Sequence, residues 1–129
     1  VFVAKAAFTR LRIYRLAEEL ADQVWAIVTP WQGFARETIG RQLVRAADSI
    51  GANIAEGYGR GSVNDNRRFV RIARGSLNET QHFLRRAFRR GLIDEEQANK
   101  LKPLVDSLGP QLNAFLKSIG RGGRDVQSD

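Results

Sequence analysis

Apolar residues recur along this chain at intervals of three and four, and polar residues fill most positions between them. That is the period of an amphipathic α-helix, in which residues about 100° apart per step gather on one face. Four such stretches are legible, separated by proline and glycine. The first spans about 8–28, with Ile13, Leu16, Ala17, Leu20, Val24 and Ile27 on one face, and Thr29-Pro30 ends it. The second spans about 35–56 and carries Ile39, Leu43, Ala46, Ala47, Ile50 and Ile54. Its small residues, among them Ser49, Gly51, Ala52 and Ala55, let another helix approach closely.

The third stretch, about 63–90, follows the segment GYGRG. Ser62 with Asp65 three residues on resembles a capping box, and Gly91 stops the helix. Phe69, Ile72, Ala73, Leu77, Phe83, Leu84, Ala87 and Phe88 are expected on its buried face. The fourth, about 95–119, opens at Asp94 as N-cap with Gln97 at the third helical position. Leu101, Leu104, Leu108, Leu112, Phe115 and Ile119 mark its stripe. Pro103 and Pro110 each remove a ladder hydrogen bond, yet both project away from that stripe, so one kinked helix is expected. No window alternates with period two. The fold class is therefore all-α: residues 1–119 form a single domain, an antiparallel up-and-down four-helix bundle, and 120–129 read as a disordered polar tail.

Composition adds a direction to this picture. The 129 residues carry a net charge of +7, and 17 of the 21 basic residues are arginine, which favours polyanionic partners. Cysteine is absent, which excludes disulfides and thiolate metal sites. No apolar run reaches the ~18 residues a membrane span needs, and no secretory signal is legible, so a cytoplasmic protein without membrane contact is expected.

Catalytic chemistry finds little to stand on. His82 is the lone histidine and completes Glu79-x-x-His82, half of a di-iron bundle motif that needs two such pairs. Neighbouring carboxylates have no partner at a defined spacing, and nothing marks a serine as activated. No enzyme, metal or cofactor is expected. The glycines of GYGRG do not match a Walker or dinucleotide loop, which need other spacings between a strand and a helix. They read as a hinge: Gly57 as a left-handed cap ending helix two, with Gly59 and Gly61 turning the chain. Arg60 there either meets a phosphate beside the amides of helix three or pairs with Glu56.

The most informative pattern lies on helix three. Arg67, Arg71, Arg74, Asn78, His82, Arg85 and Arg89 fall within a sector of about 80°, a cationic rail ~33 Å long at ideal helical rise. A solubilising face mixes charge signs, because like charges at i, i+4 repel by a few tenths of a kcal/mol. Guanidinium groups also match phosphate oxygens. Three readings remain open: contact with nucleic acid, pairing with acids of another subunit, and plain solvation. With no aromatic residue in the stripe, base stacking is not expected and sequence preference should be weak.

RQLVRAADSIGANIAEGYGR, followed by FVRIARGSLNET, resembles the core signature of the bacterial proteins encoded in intervening sequences of 23S rRNA genes, also labelled S23 ribosomal proteins. Matching positions include Arg45, Ser49, Asn53, Glu56, Gly57, Gly59, Ser76 and Glu79, and the likeness runs from about 8 to 119. The resemblance implies a four-helix bundle assembled as a homopentamer and no catalytic residue. Its fold is similar to the accessory protein of diversity-generating retroelements, a basic pentameric barrel that binds nucleic acid and a reverse transcriptase. Two partner classes follow: RNA or DNA on Arg60, Arg67, Arg71, Arg74, Arg85 and Arg89, or a protein such as a reverse transcriptase or ribosomal component. Trp31 and Phe34 are the exposed aromatic candidates for the second. They lie in PWQGFARETIGRQL, where family members more often carry a proline-acidic turn and a tyrosine-glycine-leucine step. Ser49, Asn53 and Ser76 border apolar faces, so hydrogen bonds fixing the register of helices two and three are expected.

Overall fold

The computed structural model describes residues 6–121. Those residues are helical with no strand, and four helices carry the fold. After a 3-10 turn at Ala7–Arg10 come α1, Arg12–Val28, and α2, which is composite. It begins as one α-turn at Gly33–Ala35, widens to a π-segment at Arg36–Gly40, and continues as α-helix through Arg41–Gly59. α3 is Val63–Arg89 and α4 is Glu95–Ser118. Connections of three to five residues between them force antiparallel neighbours. Each helix packs on the next, α4 closes on α1, and the most extensive packing joins α2 to α3.

The core is one aliphatic column. Leu20, Val24, Leu43, Ile50, Ile54, Val70, Leu108 and Leu112 are fully buried, with Phe115 and Ile119 closing one end. A smaller cluster of Ile39, Ala87 and Ile93 closes the other. Burial of this kind, ~1.5–3 kcal/mol per large aliphatic side chain, is what holds helices of modest intrinsic stability together. Local signals set the ends. Ser62 Oγ accepts from the Asp65 amide at 3.2 Å, and Asp94 and Gln97 form the reciprocal capping box at 2.8 and 3.0 Å. Gly91, at φ 76°, ends α3 in the left-handed region. Pro103 and Pro110 lie inside α4 on its exposed side.

Four details depart from the sequence reading. Gly57 is not a left-handed cap: it lies inside α2, which runs on to Gly59, and the left-handed residue of the hinge is Gly61, at φ 80°. A Cβ on Gly57 would fall 2.8 Å from Phe69 Cβ and 2.9 Å from Asn66 Oδ1, so its bareness is what lets α3 lie against α2. Asn66 Oδ1 is buried with no hydrogen-bond partner among the described residues, and it lies beside this glycine. Second, the buried face of α3 is rotated from the expected one. Asn66, Val70, Ser76 and Thr80 are buried, whereas Ile72 and Phe88 are 41% and 46% exposed. Third, Trp31 is half-buried against both apolar clusters and is not an exposed aromatic. Fourth, α2 starts at Gly33 through the π-segment, where Gly40 abuts Val28 and the Trp31 ring at 3.0 and 3.2 Å from its would-be Cβ. The tail expectation falls, from residue 122 onward, outside the described residues.

Candidate nucleic-acid interface

α3 places the arginine rail on the side of the bundle away from its buried face, and the rail is not uniform. At its N-terminal end Arg67 is partly buried and donates to the Ile119 carbonyl at 2.8 Å, capping the C-terminus of α4. A cation there also complements the negative end of that helix. Arg74 donates to Asn113 Oδ1 at 3.0 Å, a neutral acceptor on α4 that orients the guanidinium without cancelling its charge. Arg71, Arg85 and Arg89 are exposed, and among the described residues none of the three has a carboxylate within ion-pair distance. The acid of α4 nearest in sequence to Asn113, Asp106, is held by Lys102 at 2.6 Å. Glu79 and His82 are exposed on α3, and the described residues contain no group of three His, Cys, Asp or Glu side chains that could hold a metal.

Arg60 behaves differently from the rail. It pairs with Glu56 at 3.2 Å and Asp65 at 3.7 Å and lies over the Phe69 ring, 5.3 Å from its centroid. One guanidinium therefore joins the end of α2 to the start of α3 across the glycine hinge. Its charge is offset twice, so it stands apart from the unpaired cations.

Two clefts flank the N-terminal part of α2, and the sequence offered no sign of either. One, of about 570 Å³, lies between α1 and α2, with Val28, Gly40 and Val44 among its lining residues and Trp25, Arg36 and Arg45 on its walls. Trp25 is 60% exposed. Asp48 also lines it, and its carboxyl titrates above the usual range, first through burial and then through the nearby Asp22 charge. The other cleft, of about 780 Å³, has Ile39, Phe83 and Leu92 among its lining residues, with Phe34, Gln42 and Arg90. Phe34 is 84% exposed. Glu37 and Arg41 line both clefts and pair with each other at 3.1 Å, so they form the ridge between them.

Comparison with known proteins decides the family. The model of the 23S rRNA-intervening sequence protein family matches residues 9–114, most of the chain. The chain belongs to that family. Among solved structures, it is similar to a protein of unknown function from the S23 ribosomal protein family of Bacteroides thetaiotaomicron. The TM-score is 0.72 at 24% identity, covering 81% of this chain and 98% of that one, a likeness of fold. No curated protein matches. Neither description names a catalytic activity.

The signature segment of this 23S rRNA-intervening sequence protein is largely structural. Ser49 Oγ and Ser76 Oγ lie 2.9 Å apart across the α2–α3 interface. Asn53 Nδ2 donates to the Ser49 carbonyl at 2.8 Å and to its Oγ at 3.0 Å. Thr80 Oγ1, fully buried, donates to the Ser76 carbonyl at 2.8 Å. A hydroxyl pair at one position along each helix fits a single register, since any slide leaves polar atoms buried without partners at ~1–3 kcal/mol. Arg45 is exposed on the cleft wall, and Glu56 and Gly59 sit at the hinge. No helix among the described residues is long and apolar enough to cross a membrane.

Proposed function

We propose that this 23S rRNA-intervening sequence protein is a non-enzymatic, oligomeric nucleic-acid-binding bundle that works in the cytoplasm. Its α3 rail contacts phosphates with little regard to sequence, and RNA is the preferred polyanion. The observation that carries the reading is the row of exposed guanidinium groups, Arg71, Arg85 and Arg89, without carboxylate partners among the described residues. Arg74, held by a neutral amide, keeps its charge within the same row. A net charge of +7 adds long-range attraction for polyanions. Assembly into a ring of five copies, which the family likeness implies, would repeat the rail around a common axis and multiply a weak contact.

Sizing of the purified protein with and without nuclease, recorded at 260 and 280 nm, tests this in one run. The expected result is a 260 nm-rich peak that loses its excess 260 nm absorbance and its added mass after nuclease, leaving an assembly of several copies. A peak with the protein's own absorbance ratio before and after treatment, unchanged when RNA is added, would overturn it.

A further inference from the structure

The last arginine of the rail is next in sequence to a residue of the larger cleft. Arg89 is followed by Arg90, which caps α3 and lines the larger cleft. Across the Glu37–Arg41 ridge lies the smaller cleft with Arg36 and Arg45. Each cleft therefore combines three features: apolar lining residues, an aromatic ring largely open to solvent, and an arginine with no carboxylate partner among the described residues. Both volumes lie in the ~300–1,000 Å³ range of clefts that enclose small ligands.

Exposed rings are costly to leave in water, and a lone one needs no explanation. Two rings in adjoining clefts, each beside an unpaired guanidinium, have a definite chemistry. Aromatic faces accept unstacked bases, whereas arginines follow the phosphates that link them. A duplex keeps its bases stacked inside and offers a rail only its phosphates. We infer that the end of the bundle around Trp25 and Phe34 is a binding site for single-stranded nucleic acid, which stacks one base in each cleft. Arg36, Arg45 and Arg90 hold the intervening phosphates. Gln42, an amide with both donors and an acceptor, and Asp48, a hydrogen-bond acceptor, face base edges in the two clefts. Asp48 also keeps a phosphate from settling on its side of the smaller cleft, leaving the arginine wall for the backbone.

This inference rests on the rail reading and extends it: the rail supplies sequence-tolerant attraction, and the clefts select a single strand over a duplex. The test compares a 12-nucleotide single-stranded RNA with the duplex of the same sequence, by anisotropy. Three proteins are used: wild type, Trp25→Ala/Phe34→Ala, and Arg71→Ala/Arg85→Ala/Arg89→Ala. Both aromatic side chains are largely exposed, so their loss should leave helical circular dichroism and Tm unchanged. The expected result is a loss of about tenfold to a hundredfold in single-strand affinity for the aromatic variant, with duplex affinity within about twofold. In a Trp31→Phe background, single-stranded RNA should also quench Trp25 fluorescence. An aromatic variant that binds both probes like wild type, while the arginine variant weakens, overturns the stacking site and leaves the rail reading intact. An arginine variant that binds both probes like wild type overturns the rail reading itself. Trp25 emission already blue-shifted without RNA, and red-shifting on dilution, overturns the site by showing that a second copy of the chain covers it.

Discussion

Replacing Arg71, Arg85 and Arg89 together with alanine is expected to weaken binding of a short RNA duplex by up to about three orders of magnitude near 0.1 M salt. The reasoning starts from the counterions that a polyanion releases when a fixed cation replaces them. Each neutralised phosphate is worth roughly tenfold in affinity at that salt concentration, and three guanidinium groups are removed. Nothing in the folded chain should resist the change, because the three side chains are exposed and make no ion pair among the described residues. Alanine is also at least as good a helix former as arginine, and relief of like-charge repulsion along α3 acts in the same direction. Circular dichroism and Tm should therefore hold while affinity falls. Arg67 is left out of the variant on purpose, since its guanidinium caps α4 and its loss would mix stability with binding.

The second large effect concerns the α2–α3 contact. Gly57→Val is expected to destabilise the fold by about 1–3 kcal/mol, read as a fall of roughly 10 °C in Tm at fixed protein concentration. Replacing glycine with β-branched valine gains only about 0.3–0.5 kcal/mol of helix propensity. That gain is outweighed, because the first added carbon already stands 2.8 Å from Phe69 Cβ, an atom tied to the α3 backbone. The helices must separate, which strains the Ser49–Ser76 pair and exposes Asn66. Gly75 is the control: it lies mid-helix on α3 with no atom within 4 Å of a would-be Cβ. Gly75→Ala should raise stability by ~0.5–1 kcal/mol. A fall in Tm for both variants would mean that glycine is needed for some reason other than space.

These two glycines also mark what can be read from a chain alone. Helix number was legible because a stripe such as Leu43, Ala47, Ile50 and Ile54 is continuous and faces one core. Cap residues were legible because their hydrogen bonds are local: Asp94 and Gln97 are three positions apart. Gly57 was not, since a glycine that ends a helix and one that admits a neighbour look the same in one dimension. The buried face of α3 was misjudged for a related reason. Ser76, Thr80 and Asn66 go inside because α2 offers small residues there, Ser76 pairing with Ser49 across the interface and Thr80 with the Ser76 carbonyl on its own helix, so Ile72 and Phe88 are displaced outward. On the candidate site, the arginine spacing was legible from helical period, but which arginines remain unpaired depends on residues distant in sequence. Arg67 meets Ile119 and Arg74 meets Asn113 only once α4 is folded onto α3. The Trp25 and Phe34 clefts were invisible for the same cause. They are made by α1 and the C-terminal end of α3 flanking α2, and no motif announces them.

The central claim, that the guanidinium row on α3 takes the place of counterions on phosphates, is tested most directly by salt. Duplex RNA affinity is measured for wild type and for the Arg71→Ala/Arg85→Ala/Arg89→Ala variant across a series of salt concentrations. Logarithmic plots should be linear, with the variant's slope shallower by about one unit for each arginine that meets a phosphate. Two lines of equal slope, whatever their vertical offset, would contradict the account, because the removed cations would then have displaced no counterions.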